Sequence, residues 1–300
     1  MTPLFSIPPE RSYPAIGSGV EGVCLAGTDF QLVVVTTSTK TWKTTVTVHG
    51  TEHSPPAISF PCSDDIQLTA DGLFAVRDAH DDADPCLRGY DLLSGELMPH
   101  VRAIRGWPFR VSRGSPSRVA VADPRTFEVS VYRVADGKKL FAVPGPSRGW
   151  FAPASVSDLV VVFDEPDRVT LRGVDTSRPL SPLDAGFLFA WSADDSVLVA
   201  QGLPDQLVAW RSDAGEEQAR WRVGQGAYLS DVSSTGRWAA TWGDRDISVW
   251  STDTGTCLGR IESSADIADV RFLGEGRLAG LLRDGRAFVW QVELSGRFSC

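Results

Sequence analysis

An aromatic or long side chain recurs about every 40 residues along this 300-residue chain, and that spacing restricts the fold more than any other feature. Trp210, Trp250 and Trp290 are 40 apart, and each follows an alternating apolar run and precedes a Gly-containing turn or strand, as in "LVAWRSDAG", "ISVWSTDTG" and "FVWQVELSG". Upstream, Arg172, Tyr132 and Tyr90 continue the phase at steps of 38, 40 and 42 residues, and a last step lands near Val48 in "KTTVTVHG". The chain therefore contains seven units.

A period near 40 that carries several short strands and turn signals predicts a β-propeller, in which each unit is one four-stranded blade. The sixth unit shows the pattern best. It divides into "YLSDVSS", "RWAATW", "DISVWST" and "TCLGRI", separated by "STG", "GDR" and "DTG", whose Gly and Asp suit tight turns. No stretch has a useful helical period. The predicted fold is all-β: one domain over residues 1–300, a seven-bladed propeller of four-stranded antiparallel blades. The blades fall near 13–60, 61–103, 104–144, 145–183, 184–223, 224–262 and 263–300. The last unit runs short of a fourth strand, and an open blade would leave an unpaired edge. A strand near residues 3–8, in "TPLFSIP", is expected to pair there and close the ring.

The strand, tryptophan and turn arrangement of "DRDISVWSTDTG", "DGRAFVWQVELSG" and "PDQLVAWRSDAG" resembles WD40 repeats, and in weakened form the resemblance covers all seven units. Asp205, Asp244 and Asp284 precede their tryptophans by five or six residues, where that family places an acid in the turn between its second and third strands. The resemblance implies a platform for partner proteins. Two elements of the family's pattern are missing: no unit has a Gly-His pair, and no tryptophan is followed by Asp, Asp91 after Tyr90 being the nearest approach. "TDTGTCLGRI" and "SDAGEEQARW" also look like repeats of quinone-cofactor dehydrogenase propellers, but a count of seven blades and the lack of vicinal cysteines argue against that family.

Composition narrows the functions. A net charge of −9 and a pI near 5.0 argue against general nucleic-acid binding, which needs a positive field. Five scattered cysteines with no Cys-x-x-Cys pair read as reduced thiols rather than a disulfide framework or zinc site. The N-terminus lacks the basic leader and apolar run of a signal peptide, and no stretch approaches the ~20 apolar residues of a spanning helix. A cytoplasmic protein with no membrane contact is expected. Four lysines beside 25 arginines suggest a GC-rich bacterial coding sequence.

Candidate binding residues lie in the loops that lead into successive blades: "IRGWPFR", "SRGWFAP", "DAGFLFAW" and "GQGAYLSD". They place Trp107, Trp150, Phe187 and Tyr228 at comparable positions, with Arg105, Arg110 and Arg148 beside the first two. Aromatics and arginine dominate interface hot spots. Against this stands packing of the same rings between blades. Charge is also uneven: residues 51–100 hold ten acids against two arginines, and residues 101–150 hold ten basic residues against three acids. An acidic peptide or tail is thus a reasonable partner, in competition with pairing of those arginines to the neighbouring acidic blade. In "RDAHDDADPC", Asp78, His80, Asp82 and Asp84 alternate like cation ligands, but without the glycine and distal glutamate of a calcium loop they read as a solvated acidic loop. His49, His53, His80 and His100 lie in no catalytic or zinc signature.

These features predict a noncatalytic scaffold or adaptor with no catalytic residue, metal or cofactor, binding proteins through the loop face around the channel as one subunit of a larger assembly. The alternatives are a propeller hydrolase or lactonase with metal or carboxylates in its channel, and a carbohydrate-binding propeller that stacks sugars on exposed tryptophans.

Overall fold

In the computed structural model the described residues are 11–13, 25–26, 32–38, 43–49, 58–61, 66–69, 73–77 and 87–291, without 92–93, 95, 105, 107–108, 113, 147–149, 166–167, 184–187, 204, 275 and 284–285. They form seven four-stranded antiparallel sheets that follow one another along the chain. The first comprises Leu25–Ala26, Leu32–Ser38, Lys43–His49 and Ile58–Pro61, and the second Ile66–Leu68, Leu73–Arg77, Leu87–Asp91 and Leu97–Met98. The third comprises Phe109–Val111, Arg118–Ala122, Glu128–Arg133 and Lys139–Pro144, and the fourth Phe151–Pro153, Leu159–Glu165, Arg168–Gly173 and Ser177–Pro179. The fifth comprises Leu188–Trp191, Val197–Gly202, Gln206–Arg211 and Glu216–Arg222, and the sixth Tyr228–Val232, Trp238–Trp242, Asp246–Ser251 and Cys257–Glu262. The seventh takes Ile267–Phe272, Arg277–Leu282 and Ala287–Gln291 from the end of the chain and Arg11–Tyr13 from its beginning, with Arg11 opposite Val289 and Tyr13 opposite Ala287. The pairing N-terminal strand thus lies later than residues 3–8, which fall outside the described residues. A single 3-10 turn, Val101–Ala103, is the helical element among the described residues.

The core lies between the sheets. Along each second strand, successive side chains point to opposite faces. Val197 and Val199 accordingly pack with Leu229, Val232 and Ala239 of the sixth sheet, while Leu198 and Ala200 pack with Val161, Phe163 and Leu171 of the fourth. The same division places Val119 and Val121 against the second sheet and Ala120 and Ala122 against the fourth. A strand covered on both faces needs no polar side, which explains the near-continuous apolar runs "RVAVA", "LVVVF" and "VLVAQ". The 40-residue aromatic serves the same purpose. Trp210 faces the fourth sheet, Trp250 the fifth and Trp290 the sixth, so each fills the gap to the preceding sheet. Arg172 occupies the phase in the fourth sheet and instead donates hydrogen bonds from Nη1 to the Pro144 and Gly145 carbonyls of the third, at 2.5 and 3.4 Å. In the third, fifth and sixth sheets the register slips at this position, opposite Leu140, Gln218 and Leu258, leaving one extra residue in the outer strand.

Antiparallel connection gives each sheet two unlike ends. The near end holds the loop leading into the first strand and the turn from second to third strand; the far end holds the other two turns. At the far end the sheets are tied directly to one another. The Asp195 carboxylate, 3% exposed, accepts the backbone N–H groups of Ser155, Val156 and Ser157 at 2.7, 2.5 and 2.7 Å. Gly114 N–H donates to Ser155 Oγ at 2.6 Å, and the buried Arg118 guanidinium donates to the Ser157 and Val156 carbonyls at 2.7 Å each. These bonds satisfy turn groups that the next sheet removes from water. Asp195 adopts a left-handed φ of 60°, which a short polar side chain tolerates better than most.

Candidate interaction surface

Eight large hydrophobic residues stand out as exposed among the described residues, and five of them share the near end of the third to sixth sheets: Phe127, Trp150, Leu188, Leu203 and Tyr228. Leu97 lies on the outer strand of the second sheet, and Val156 and Val174 lie at the far end of the fourth. Phe127 closes the turn between the second and third strands of its sheet with φ 58°, a left-handed conformation that is costly for a bulky side chain. The turn is held by the Phe127 N–H to the Asp123 carbonyl at 2.9 Å and by Gly145 N–H to the Phe127 carbonyl at 2.7 Å. The Asp123 carboxylate accepts from the backbone N–H groups of Arg125 and Thr126, at 2.7 and 3.2 Å, which holds its pKa below the usual range.

Trp150 is fixed by its carbonyl, which accepts from Phe163 N–H at 2.8 Å, while its ring stays 41% exposed. The Arg110 guanidinium lies over that ring, 4.5 Å from its centre, a cation–π contact between the third and fourth sheets. Tyr228 opens the first strand of the sixth sheet, 51% exposed, with its ring 5.6 Å from that of Trp242 and tilted by 45°. Leu188 opens the fifth sheet, opposite Gln201, and Leu203 lies in the turn that follows. The Gln201 amide joins the fifth sheet to the sixth: Nε2 donates to the Ala227 carbonyl at 2.7 Å, and Oε1 accepts from Leu229 N–H at 2.5 Å.

Of the residues singled out from sequence, Arg110, Trp150 and Tyr228 occupy this end, and the first two are in contact. Arg105, Trp107, Arg148 and Phe187 lie outside the described residues, as do Asp284 and the acidic stretch Asp78 to Asp84. Asp205 and Asp244 lie in turns between second and third strands. Their carbonyls accept from Val223 N–H and Ile267 N–H, each at 2.8 Å. Tyr90, Tyr132, Trp210, Trp250 and Trp290 lie on third strands. Trp210 Nε1 donates to Ser181 Oγ at 2.7 Å, and Trp250 Nε1 to Thr241 Oγ1 at 2.9 Å. Within the basic sector, Arg118 is consumed by the far-end network. Arg133 and Lys139 pair with Asp136 and Glu128, both at 3.1 Å and inside their own sheet. Phe127 and Leu203 escaped the sequence reading, although "DPRTF" and "GLPDQ" are turns, where an apolar residue has no core to enter.

The inner strands of the sixth and seventh sheets carry a second polar group. Arg271 Nη2 is 3.3 Å from Asp269 Oδ2, Ser230 Oγ donates to Asp269 Oδ1 at 3.3 Å, and Asp231 Oδ2 accepts Phe272 N–H at 2.8 Å. Each carboxylate there joins one sheet to the next or to its neighbouring arginine. Among the described residues no three His, Cys, Asp or Glu side chains gather as a metal would require, and no helix is long and apolar enough to cross a membrane. Cys257 is a half-buried free thiol whose pKa is raised by that burial.

No known family profile matches the sequence, and no curated protein does. Among solved structures, a chain from the crystal structure of a mitotic checkpoint complex superposes with a TM-score of 0.63, covering 97% of this chain and 98% of its own at 16% identity. The likeness is one of fold. It extends over nearly the full length of both chains.

Proposed function

We propose that this protein is a WD40-like, seven-bladed β-propeller acting as a noncatalytic platform, which docks partner proteins on the near end of its third to sixth blades. Closure of the ring is supported at two places. Arg11–Tyr13 pairs with the last strand of the seventh sheet, and Leu25–Ala26 of the first sheet packs against the inner strands of the seventh. The observation that carries the function is the gathering of Phe127, Trp150, Leu188, Leu203 and Tyr228 at one end, where each is held outward by a bonded turn or strand start. Rigid exposed apolar and aromatic groups lose little entropy on binding and concentrate affinity in a few anchors. The neighbour's presence in a multiprotein complex agrees with this reading.

The test is affinity purification from the native cell with quantitative mass spectrometry, comparing wild type with a Trp150→Ala, Tyr228→Ala double variant of unchanged thermal midpoint. A protein enriched by the wild type and lost with the variant supports the platform. A partner that stays bound to the variant, or no specific partner at all, refutes docking at this end.

A further inference from the structure

The near end of the fifth and sixth sheets combines exposed apolar side chains with negative charge that the protein does not neutralise. Leu188 and Tyr228 are linked through the Gln201 amide, because Gln201 is opposite Leu188 and its side chain bonds the residues on either side of Tyr228, and Leu203 is exposed in the turn two residues beyond Gln201. Two cations here are already engaged: Arg245 with Asp266 at 3.0 Å, and Arg260 with Asp246 at 2.8 Å. Asp205, two residues beyond Leu203, and Asp244, two beyond Trp242 on which Tyr228 leans, make no side-chain bond among the described residues. Glu262 at the end of the outer strand lines a cavity with Arg245, Asp246 and Arg260, and this end of the two sheets holds five acids, Asp205, Asp244, Asp246, Glu262 and Asp266, against Arg222, Arg245 and Arg260. The local balance is negative, on a chain whose total is −9.

We infer that this patch binds a basic protein segment in which one or two apolar side chains, flanked by arginine or lysine, seat on Leu203 and Tyr228 while the cations meet Asp205 and Asp244. Apolar contact provides the anchor and the acids set the sign of the partner. The inference rests on the platform reading and specifies its partner at this edge. It differs from the acidic peptide that the arginines of residues 101–150 suggested, because Arg110, Arg118, Arg125 and Arg133 of that stretch belong to the third sheet.

The test is panning of a phage-displayed random dodecapeptide library on the full-length protein, followed by fluorescence-anisotropy titration of the enriched peptides at low and physiological salt. The expected result is enrichment of apolar residues flanked by Arg or Lys. Affinity should fall at least fivefold on an Asp205→Lys, Asp244→Lys double variant and at least tenfold on Leu203→Ser, Tyr228→Ala, with polyarginine of equal length binding more weakly than the selected peptides. Enrichment of acidic or uncharged peptides, equal binding by polyarginine, unchanged affinity on both variants, or no enrichment overturns the inference. The platform is judged separately, by the native partner and its dependence on Trp150 and Tyr228.

Discussion

Two buried tryptophans of the fifth sheet make unequal predictions for the same substitution. Trp210 is fully buried against the fourth sheet, and its indole N–H donates to Ser181 Oγ at 2.7 Å. Trp221 is 8% exposed against the sixth sheet, and its indole nitrogen is buried with no hydrogen-bond partner among the described residues. Trp210→Phe removes a made bond and leaves the Ser181 hydroxyl with one partner fewer, about 1 kcal/mol beyond the packing loss. Trp221→Phe removes a donor already desolvated without compensation, so its packing loss is partly offset and the net change is below about 1 kcal/mol. Trp210→Ala, which empties the core between two sheets, costs about 3–5 kcal/mol, or about 5–8 °C in a chain of this size. Urea unfolding followed by circular dichroism reads all three, with equal m-values required for the comparison. If Trp221→Phe destabilises as much as Trp210→Phe, the assignment of the Ser181 bond as the difference is wrong.

Further outcomes follow from the far-end network and the N-terminal strand. Arg118→Lys is expected to cost about 1–3 kcal/mol in urea unfolding, because an ammonium cannot donate in parallel to the Ser157 and Val156 carbonyls as the guanidinium does. Asp195→Asn exchanges one acceptor oxygen for a donor facing backbone N–H groups, and a loss of about 2 kcal/mol is expected; an unchanged midpoint would contradict the clamp. The Glu217 carboxylate is held below its usual pKa, first by the Arg220 guanidinium and, against the effect of partial burial, also by the Ser181 hydroxyl. A depressed folded pKa stabilises above the unfolded value near 4.5 and is lost as pH falls through the folded one, so Glu217→Gln should flatten acid destabilisation below about pH 4.5 and leave pH 7 to 9 parallel to wild type. Deletion of residues 1–13 removes the strand paired with Ala287–Val289 and should lower the thermal midpoint and promote concentration-dependent aggregation through the bared edge, both checked by light scattering during a melt.

The repeat was legible because it is made by packing. Trp210, Trp250 and Trp290 each fill the gap to the preceding sheet, Arg172 spans the same gap by hydrogen bonds, and the strands of the sixth sheet, Tyr228–Val232, Trp238–Trp242, Asp246–Ser251 and Cys257–Glu262, follow the runs and turns visible in the sequence. The candidate surface was legible only in part. Loops leading into the sheets carry conspicuous aromatics such as Trp150 and Tyr228. Phe127 escaped notice because its exposure depends on a left-handed backbone that composition does not announce. Charge was harder still. Arg118 counted as one more surface arginine of a basic sector, yet it is buried, and what buries it is a turn of the next sheet about 40 residues away.

The same long-range bonds make the two ends of the sheets chemically unlike. At the far end, the Asp195 carboxylate, Ser155 hydroxyl and Arg118 guanidinium spend their bonding capacity on neighbouring turns, so a partner there meets groups already satisfied. Val156 shows the consequence: its backbone is clamped on both sides, by Asp195 and by Arg118, although the residue is exposed. At the near end, the bonds of Gln201, Asp123 and the Trp150 carbonyl fix backbone and leave large side chains outward. Burial of one such aromatic ring or leucine yields about 1.5–3 kcal/mol, so two or three anchors supply about 3–9 kcal/mol toward docking before the cost of association is met. Removal of Trp150 or Tyr228 should therefore weaken docking while leaving the fold's stability within about 1 kcal/mol, since neither ring belongs to an inter-sheet core. A variant that loses both binding and stability in proportion would instead make these rings part of the packing, and the platform would have to be sought at another end or edge of the sheets.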